Sequence, residues 1–297
     1  MKLRYKDKTA LEFRSKCYAT YFNKYYNIFM NKYALSKLDE EQNDFVFRKF
    51  WADGTIATFK LKNSEGATNH PQGVLVFVPY APSEYNIYDF ATKVTYINKR
   101  GVDFIPSGLQ EVNKDCVLGW IQKNKKGVFA IVDYYLNKIV DVDCIIKIQL
   151  NSHKTPWLIA VSPETENKMD ELIRSIQADD PNIYISSDDF DKFKVLQSGN
   201  QYIIDKLEAY KQQIINELEE YLGINNIGVG EKKEHLITSE VDANNEIIEY
   251  HNSAFYDCLQ DFCDRIKEVL NYDIEVIDKQ QKETESKEEE DIEDEYE

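Results

Sequence analysis

The sequence predicts an α+β protein in which helices dominate. Its 297 residues include only 11 glycines and 7 prolines, and this scarcity favours long helices over a turn-rich sandwich. Apolar residues make up 42% of the chain and aromatic residues 13%, so there is enough apolar surface for a folded core. Two long segments with helical spacing of apolar residues flank a shorter region with strand-like patterns. We therefore expect long helices together with smaller β-rich parts.

The N-terminal half combines one long helix with strands. Between Ala10 and Leu35, apolar residues recur every three or four positions, which is the spacing of a helix. From Phe45 to Leu61 the pattern turns toward alternation of apolar and polar residues, which predicts strands. The run Gly73–Val78 predicts a buried strand. This half is therefore expected to be mixed α and β.

Two helical rods follow, with a small β-rich unit between them. Val128–Leu150 contains neither glycine nor proline and is apolar on almost every side, which predicts a helix of about 35 Å that is buried on several sides at once. Tyr202–Leu222 repeats apolar residues at helical spacing, and Gly223 lies where a left-handed C-terminal cap belongs. Pro156 stops the first rod, and a β-α-β-β pattern fills the space between the rods. Its predicted elements are Trp157–Val161, Lys168–Gln177, Asn182–Ile185 and Phe193–Leu196.

The C-terminal part begins with a polar stretch and ends in an acidic tail. Ile224–Tyr250 lacks strong periodicity, and long polar connections of this kind are usually functional or disordered. Phe255–Leu270 predicts another helix, and Asp273–Ile277 predicts a final strand. Residues 281–297 hold ten Asp and Glu, two Lys and a single aliphatic residue, so we expect a disordered tail.

The charge balance excludes tight binding of polyanions by the chain as a whole. Lys and Arg number 36 against 53 Asp and Glu, a net charge of −17, whereas generic polyanion binders have a basic surface that releases counterions. The tail carries −8 of this total, which leaves −9 for the other 280 residues. The first sixteen residues are an exception with a net charge of +4, which fits either a phosphate contact or an ordinary helix start.

The sequence contains no motif of a common enzyme class. GxGxxG after a strand, HExxH and GxSxG are all absent, and Gly223–Lys233 lacks the glycine, lysine and hydroxyl residue that a P-loop needs in succession. The four histidines and five cysteines have no metal-ligand spacing, and Asp257, Asp261 and Asp264 fit a solvated helix face. We predict no catalytic residue, no cofactor and no metal. The scattered cysteines, with no signal peptide or spanning segment, predict assembly in a reducing host cytoplasm and no membrane contact.

Six short segments carry a family resemblance. They are Lys154-Thr-Pro-Trp-Leu-Ile, Ile204-Asp-Lys-Leu-Glu-Ala-Tyr-Lys-Gln, Leu222-Gly-Ile-Asn-Asn, Glu231-Lys-Lys-Glu, Thr238-Ser-Glu-Val and Asn245-Glu. Together they resemble the portal protein, also called the upper collar or head-tail connector, of small short-tailed phages with protein-primed double-stranded DNA genomes. The resemblance covers most of the chain, and it is strongest over residues 127–278 and weakest before residue 70 and in the tail.

The resemblance implies a ring of about twelve copies at the unique vertex of a phage capsid. Its channel would serve for DNA packaging and ejection, and the chain would be a structural protein of the virion rather than an enzyme. The implied portal fold has long stem helices, a small β-rich clip, an α/β wing and a tunnel loop. On this chain the implied divisions are 1–126 for the N-terminal helix and wing, 127–152 for the first stem helix, 153–201 for the clip, 202–223 for the second stem helix, 224–250 for the tunnel loop, 251–279 for the wing helix and strand, and 280–297 for the acidic disordered tail.

Four lysines are the DNA-channel residues that the resemblance implies. Lysines that ring the channel near the clip and at the start of the second stem helix correspond to Lys194 and Lys206, with three residues inserted just after Lys194. The tunnel-loop lysines correspond to Lys232 and Lys233. Double-stranded DNA carries one phosphate per about 1.7 Å, and a mostly negative wall with a few lysine rings attracts it only weakly and locally. An acidic chain therefore suits a channel through which DNA slides.

The implied partners are those of a virion portal. They are the other copies of the ring, double-stranded DNA, the major capsid protein, the lower collar or tail protein, and a separate packaging ATPase, because this chain has no P-loop. A scaffolding protein and a packaging RNA are further candidates, although the basic arm at the N-terminus is shorter and more mixed than in the family. Two alternatives stay open at this point: a neck or lower-collar adaptor of the virion, and an unrelated cytoplasmic enzyme or binding protein.

Overall fold

The computed structural model describes residues 8–61, 73–98, 101–154, 157–160, 194–197, 202–224 and 238–279. These ranges contain five helices and ten short strands, so the predicted helix-dominated α+β class is confirmed. In chain order the elements are α1 (Lys8–Lys32), β1 (Tyr33–Leu35), α2 (Glu40–Ala52), β2 (Thr55–Leu61), β3 (Val74–Val78), β4 (Tyr80–Tyr85), β5 (Ala91–Tyr96), β6 (Leu109–Glu111), β7 (Val117–Trp120), α3 (Phe129–Lys154), β8 (Trp157–Ala160), β9 (Lys194–Gln197), α4 (Ile204–Tyr221), α5 (Thr238–Leu270) and β10 (Val276–Asp278).

The chain divides into two compact units. We call residues 1–19 with 136–215 the smaller unit, and residues 20–135 with 216–297 the larger unit. The helices α1, α3 and α4 contribute residues to both units. In the part of the chain described above, no helix has both the length and the apolar character needed to cross a bilayer.

In the smaller unit, a strand pair connects α3 to α4. β8 follows α3 and β9 precedes α4, and the two strands pair antiparallel, with Trp157 opposite Gln197 and Ala160 opposite Lys194. The C-terminal end of α3 and the N-terminal end of α4 are therefore joined through this pair.

Three predicted elements of this region are confirmed, the two strands to within one residue and the first rod with its end at Lys154, four residues later than predicted. The first rod, predicted at 128–150, is α3, and the strands predicted at 157–161 and 193–196 are β8 and β9. The helix predicted at 168–177 and the strand predicted at 182–185 lie outside the described residues.

The C-terminal end of α4 has the glycine cap that the sequence predicts. Gly223 adopts a φ of +63°, its N–H donates to the carbonyl of Glu220 at 2.9 Å, and the N–H of Ile224 donates to the carbonyl of Glu219 at 2.8 Å. These two bonds define a Schellman motif, which ends a helix where a left-handed residue follows it. The rod predicted at 202–222 is thus confirmed as α4.

The described part of the larger unit contains three antiparallel sheets, the whole of α2 and α5, and one end each of α1, α3 and α4. The strand orders of the sheets are β3-β2-β7, β4-β5-β6 and β1-β10. Helix α5 packs closely against β7, because a Cβ on Gly119 of β7 would come within 2.8 Å of the Phe262 ring. Phe262 is fully buried, and its ring centre lies 6.3 Å from that of Phe50 in α2. One part of the core of this unit therefore lies between α2, β7 and α5, and another is formed by residues of β2, β3, β5 and β7.

Residues 45–52, for which the sequence pattern predicts a strand, belong to helix α2. Asp39 is its N-cap and forms a capping box with Gln42, in which each side chain accepts a hydrogen bond from the other residue's backbone N–H. Phe47 is buried together with Val46, Phe50 and Trp51, a spacing that places all of them on one helix face. The alternation prediction was therefore wrong for residues 45–52 and right for β2.

Helix α1 ends earlier than predicted because its last residues form a strand. The sequence predicts a helix as far as Leu35, but α1 ends at Lys32. Residues 33–35 form β1, which pairs antiparallel with β10, with Tyr33 opposite Asp278. The final strand, predicted at 273–277, is β10, which begins three residues later and ends one residue later than predicted.

Helix α5 begins seventeen residues before the first residue of the predicted helix. The sequence predicts its start near Phe255, but the helix begins at Thr238, so the second half of the polar stretch 224–250 is helical. In the sequence, Val241, Ile248 and Phe255 follow each other at seven-residue intervals, and this spacing continues the apolar stripe toward the N-terminus.

The sheet β4-β5-β6 has no counterpart among the predicted strands. Every residue from 81 to 90 is exposed, so β4 lacks the buried alternation by which strands are recognised in a sequence. The acidic tail, residues 280–297, lies outside the described residues.

Candidate nucleic-acid interface

Lys211 joins α4 to α3 within the smaller unit. Its ammonium lies 2.6 Å from a carboxylate oxygen of Glu208 and 3.2 Å from Oδ1 of Asp143. The side chains of Lys211 and Asp143 are only 17% and 15% exposed. Burial opposes the charge, but the hydrogen bonds to Glu208 and Asp143 outweigh it and raise the pKa of Lys211. Lys211 therefore holds the two helices together and is neutralised by two carboxylates.

Arg14 attaches the start of α1 to α3. Its guanidinium forms an ion pair with Asp141 and donates a hydrogen bond of 3.2 Å to Oδ1 of Asn137. The bond to Asp141 raises the pKa of Arg14. Lys147 of α3 adds a cation–π contact, with its ammonium 3.9 Å from the ring centre of Phe13. The sequence left open whether the basic start of the chain contacts phosphate or is an ordinary helix start. In the structure, Arg14 of this segment binds Asp141 and Asn137 of α3.

Lys206 lies in the first turn of α4, and its side chain is exposed. No ion pair to it occurs among the residues that the structure describes. The whole of α4 carries five acidic residues and two lysines, and the other lysine, Lys211, is already neutralised. Lys206 is therefore the cation that α4 offers to an outside anion, on a helix that is otherwise acidic.

Of the other three candidate lysines, Lys194, Lys232 and Lys233, only Lys194 lies within the described residues. Lys194 begins β9 and lies opposite Ala160 in the strand pair, so the structure places its backbone in the same unit as Lys206. Lys232 and Lys233 lie outside the described residues. The structure therefore brings Lys194 and Lys206 into one unit and leaves the grouping of all four as a prediction.

Several large apolar side chains of α3 and α4 are exposed, which the sequence did not predict. On α3, Ile145 is 43% exposed, Ile148 65% and Leu150 48%, and on α4 Tyr210 is 48% exposed. The prediction that the first rod is buried on several sides is thus wrong for the chain taken alone. The signal was present in the sequence, because a helix that is apolar all round needs contacts that a single chain does not always supply.

The acidic and thiol groups of α5 show no arrangement for chemistry. Asp257, Asp261 and Asp264 are exposed as predicted, and Asp261 accepts a hydrogen bond of 3.1 Å from Arg265. Burial raises the pKa of the Cys263 thiol to about 12, which keeps it protonated and unreactive. Within the described ranges, no cluster of His, Cys, Asp and Glu has the geometry to hold a metal ion.

The comparison with protein families decides the identity of the chain. The family described as Phage Connector (GP10) matches residues 4–284. The chain belongs to the phage connector family. Among solved structures, a chain of the portal and tail of native bacteriophage P68 is 13% identical, with a TM-score of 0.46, and the match covers 93% of this chain and 91% of that one.

Family membership fixes the class of function. The chain is a head-tail connector, a structural component of the phage virion and not an enzyme. The predicted resemblance is therefore confirmed, and the alternative of an unrelated cytoplasmic enzyme is wrong. A connector of this family forms an oligomeric ring that contacts the capsid and the tail, so the exposed apolar side chains of α3 and α4 belong to a protein that assembles.

Proposed function

We propose that this connector forms a ring of about twelve copies around a channel through which double-stranded DNA enters and leaves the capsid. α3 and α4 are the stem helices of the ring, and β8 and β9 belong to a clip outside the capsid. The proposed divisions are those that the resemblance implies, namely 1–126 and 251–279 for the wing, 127–152 and 202–223 for the stem, 153–201 for the clip, and 224–250 for the tunnel loop, whose second half is helical.

The observation that supports this proposal best is the exposure of aliphatic side chains on two sides of α3. Ile145 and Ile148 are three residues apart and share one face, whereas Leu150 points roughly the opposite way around the helix. In a closed ring each copy meets its two neighbours through two different surfaces. Apolar groups on both sides of one helix are what such an arrangement requires, and their burial between copies would stabilise it.

The charges of α4 support a sliding contact with DNA. Because Lys211 is neutralised by Glu208 and Asp143, Lys206 is left as an isolated cation on an acidic helix. A circle of such lysines on a negative wall attracts phosphate locally without holding the duplex. Lys194, Lys232 and Lys233 are proposed to form further rings of the same kind along the channel.

The partners follow from the same assignment. The chain lacks a P-loop, so a separate packaging ATPase supplies the energy for translocation and docks on the clip. The wing contacts the major capsid protein, and the clip later binds the lower collar or tail protein. Assembly takes place in the host cytoplasm, at the single vertex where the portal is built into the capsid. A scaffolding protein and a packaging RNA are further candidates at this vertex.

Replacing Ile148 tests the ring. Ile148→Lys places a charge in the proposed contact between copies, so rings should be lost or greatly reduced in native mass spectra, while circular dichroism of the chain stays unchanged. Ile148→Leu is the matched control, because it keeps the side chain apolar and of equal volume, and it should assemble like the wild type. Normal rings of Ile148→Lys would contradict the proposed role of α3.

A further inference from the structure

The loop Gln122–Lys126 between β7 and α3, which we call the basic loop, is unusually rich in lysine for so acidic a chain. It contains Lys123, Lys125 and Lys126 within four residues. Lys123 and Lys126 are exposed and Lys125 is half-buried. In the ranges that the structure describes, no carboxylate forms an ion pair with any of the three. The loop therefore presents three uncompensated positive charges on the larger unit.

The basic loop is held in a fixed conformation. The N–H of Lys125 donates to the carbonyl of Gln122 at 2.9 Å, and the N–H of Lys126 donates to Oδ1 of Asn124 at 2.9 Å. Gly54 packs directly beneath, because a Cβ there would come within 2.1 Å of the Lys126 carbonyl carbon. Lys125 itself adopts a φ of +57°, which costs a non-glycine residue on the order of 1 kcal/mol. The backbone that carries the three lysines is thus fixed before any partner binds.

Two clefts of the larger unit are lined in part by the basic loop. One, of about 340 Å³, is lined by Phe90, Trp120, Lys125 and Arg265 among others. The Lys125 ammonium lies 4.2 Å from the ring centre of Phe90, and the Arg265 guanidinium lies 4.3 Å from that of Trp120. The other cleft, of about 360 Å³, is lined by Lys123, by Tyr221 of α4 and Phe255 of α5, and also by the acidic Asp257.

Arg265 is already paired with Asp261, so Lys123 and Lys125 are the cations of these clefts that have no carboxylate partner among the described residues. Together with the aromatic rings, they suit an acidic peptide that carries occasional apolar side chains.

We propose that the acidic tail of this chain, residues 281–297, binds the basic loop and the clefts beside it. The tail supplies ten carboxylates, and Ile292 and Tyr296 supply the apolar side chains. The tail begins shortly after β10, which belongs to the same unit as the loop.

The length of the tail allows it to reach the loop. Seventeen extended residues span up to about 60 Å, whereas a compact unit of this size has a radius of gyration of about 16 Å. Because the tail is tethered, its effective concentration at the loop is in the millimolar range. Any polyanion from outside, nucleic acid included, must first displace the tail from the three lysines. This inference does not depend on the number of copies in the ring.

Zero-length carbodiimide cross-linking of the full-length protein, followed by mass spectrometry, tests the proposal. The reagent joins lysines to carboxylates that already form ion pairs. We expect tail carboxylates to be joined to the basic loop about fivefold more often, per lysine, than to other exposed lysines such as Lys206. The excess should fall steeply between 50 mM and 500 mM salt, because screening weakens exposed charge pairs. Cross-links spread evenly over the exposed lysines would overturn the proposal.

Proteolysis of the tail by a glutamate-specific protease gives a second measurement. Lys123→Gln, Lys125→Gln and Lys126→Gln are combined in one variant, and a tail that is bound two thirds of the time should then be cleaved about threefold faster. The matched control removes the same charge from three exposed ion pairs, with Lys37→Gln, Lys114→Gln and Lys267→Gln, and should leave the cleavage rate unchanged. Equal rates in both variants would overturn the proposal. So would a loop variant that loses affinity for duplex DNA without any change in tail cleavage.

Discussion

Lys32 offers a test of the packing that fixes the C-terminal end of α4. It is 2% exposed, and its ammonium donates to the backbone carbonyl of Leu222 at 2.5 Å and to that of Gly223 at 3.0 Å. These carbonyls lie at the end of α4, where a helix leaves its last acceptors unsatisfied and favours a positive charge. Lys32 therefore ties α1 to the end of α4 inside the larger unit, at the cost of burying a cation.

The size of that cost follows from the pKa of Lys32. Burial lowers the pKa of Lys32 from 10.5 to about 8, while the carboxylate of Asp278 acts to raise this pKa. A shift of this size corresponds to roughly 3 kcal/mol. Below pH 8 the lysine is protonated in both the folded and the unfolded chain, so the full penalty is present. Between pH 8 and 10.5 the unfolded chain binds more protons than the folded chain, so the free energy of unfolding rises with pH.

Lys32→Met should remove this pH-dependent contribution. Its free energy of unfolding, compared with that of the wild type, should fall by roughly 3 kcal/mol between pH 7.5 and pH 10.5, because only the wild type gains stability over that interval. Thermal unfolding of both proteins at a series of pH values measures this change. Lys24→Met serves as the control for losing a lysine from an exposed position of the same helix. A wild-type to variant difference that does not vary with pH, or that favours the variant at high pH, would refute the reasoning.

Three further predictions concern α4. Gly223→Ala should destabilise the protein by about 1–3 kcal/mol in thermal unfolding, because alanine must adopt a φ of +63° and its Cβ would meet the Lys32 ammonium at 2.6 Å; unchanged stability would contradict the cap. Lys211→Met and Asp143→Asn should show a coupling energy of about 1–2 kcal/mol in a double-mutant cycle, and additive effects would mean that the pair does not join the helices. Lys206→Ala should leave rings intact but alter the retention of packaged DNA in phage, whereas exposed Lys114→Ala should not; normal retention in Lys206→Ala would remove this lysine from the channel.

The long helices could be predicted from the sequence because their signals are local. α3 and α4 have helical apolar spacing over many turns, and Gly223 marks the end of α4. α2 was missed because Phe45 and Phe47 alternate over a short run, where strand and helix patterns coincide. The capping box at Asp39 was the better signal. β4 was missed because an exposed strand lacks the buried alternation that a sequence pattern can reveal.

The candidate site was less predictable than the fold. Lys206 was found through the family resemblance alone, since one lysine in an acidic helix is unremarkable in a sequence. That Lys211 is neutralised depends on Asp143, 68 residues earlier in the chain, and no local pattern reports such a contact. The basic loop was overlooked because its significance depends on long-range packing against Gly54 and on the clefts beside it.

The mass of the native assembly tests the proposed function most directly. The chain has a mass of 34.8 kDa, so a ring of about twelve copies has a mass of about 420 kDa. Native mass spectrometry of the full-length protein should show a closed assembly near that mass, and electron microscopy of the same sample should show rings with a central channel. A 34.8 kDa monomer as the sole species at high protein concentration would contradict the account.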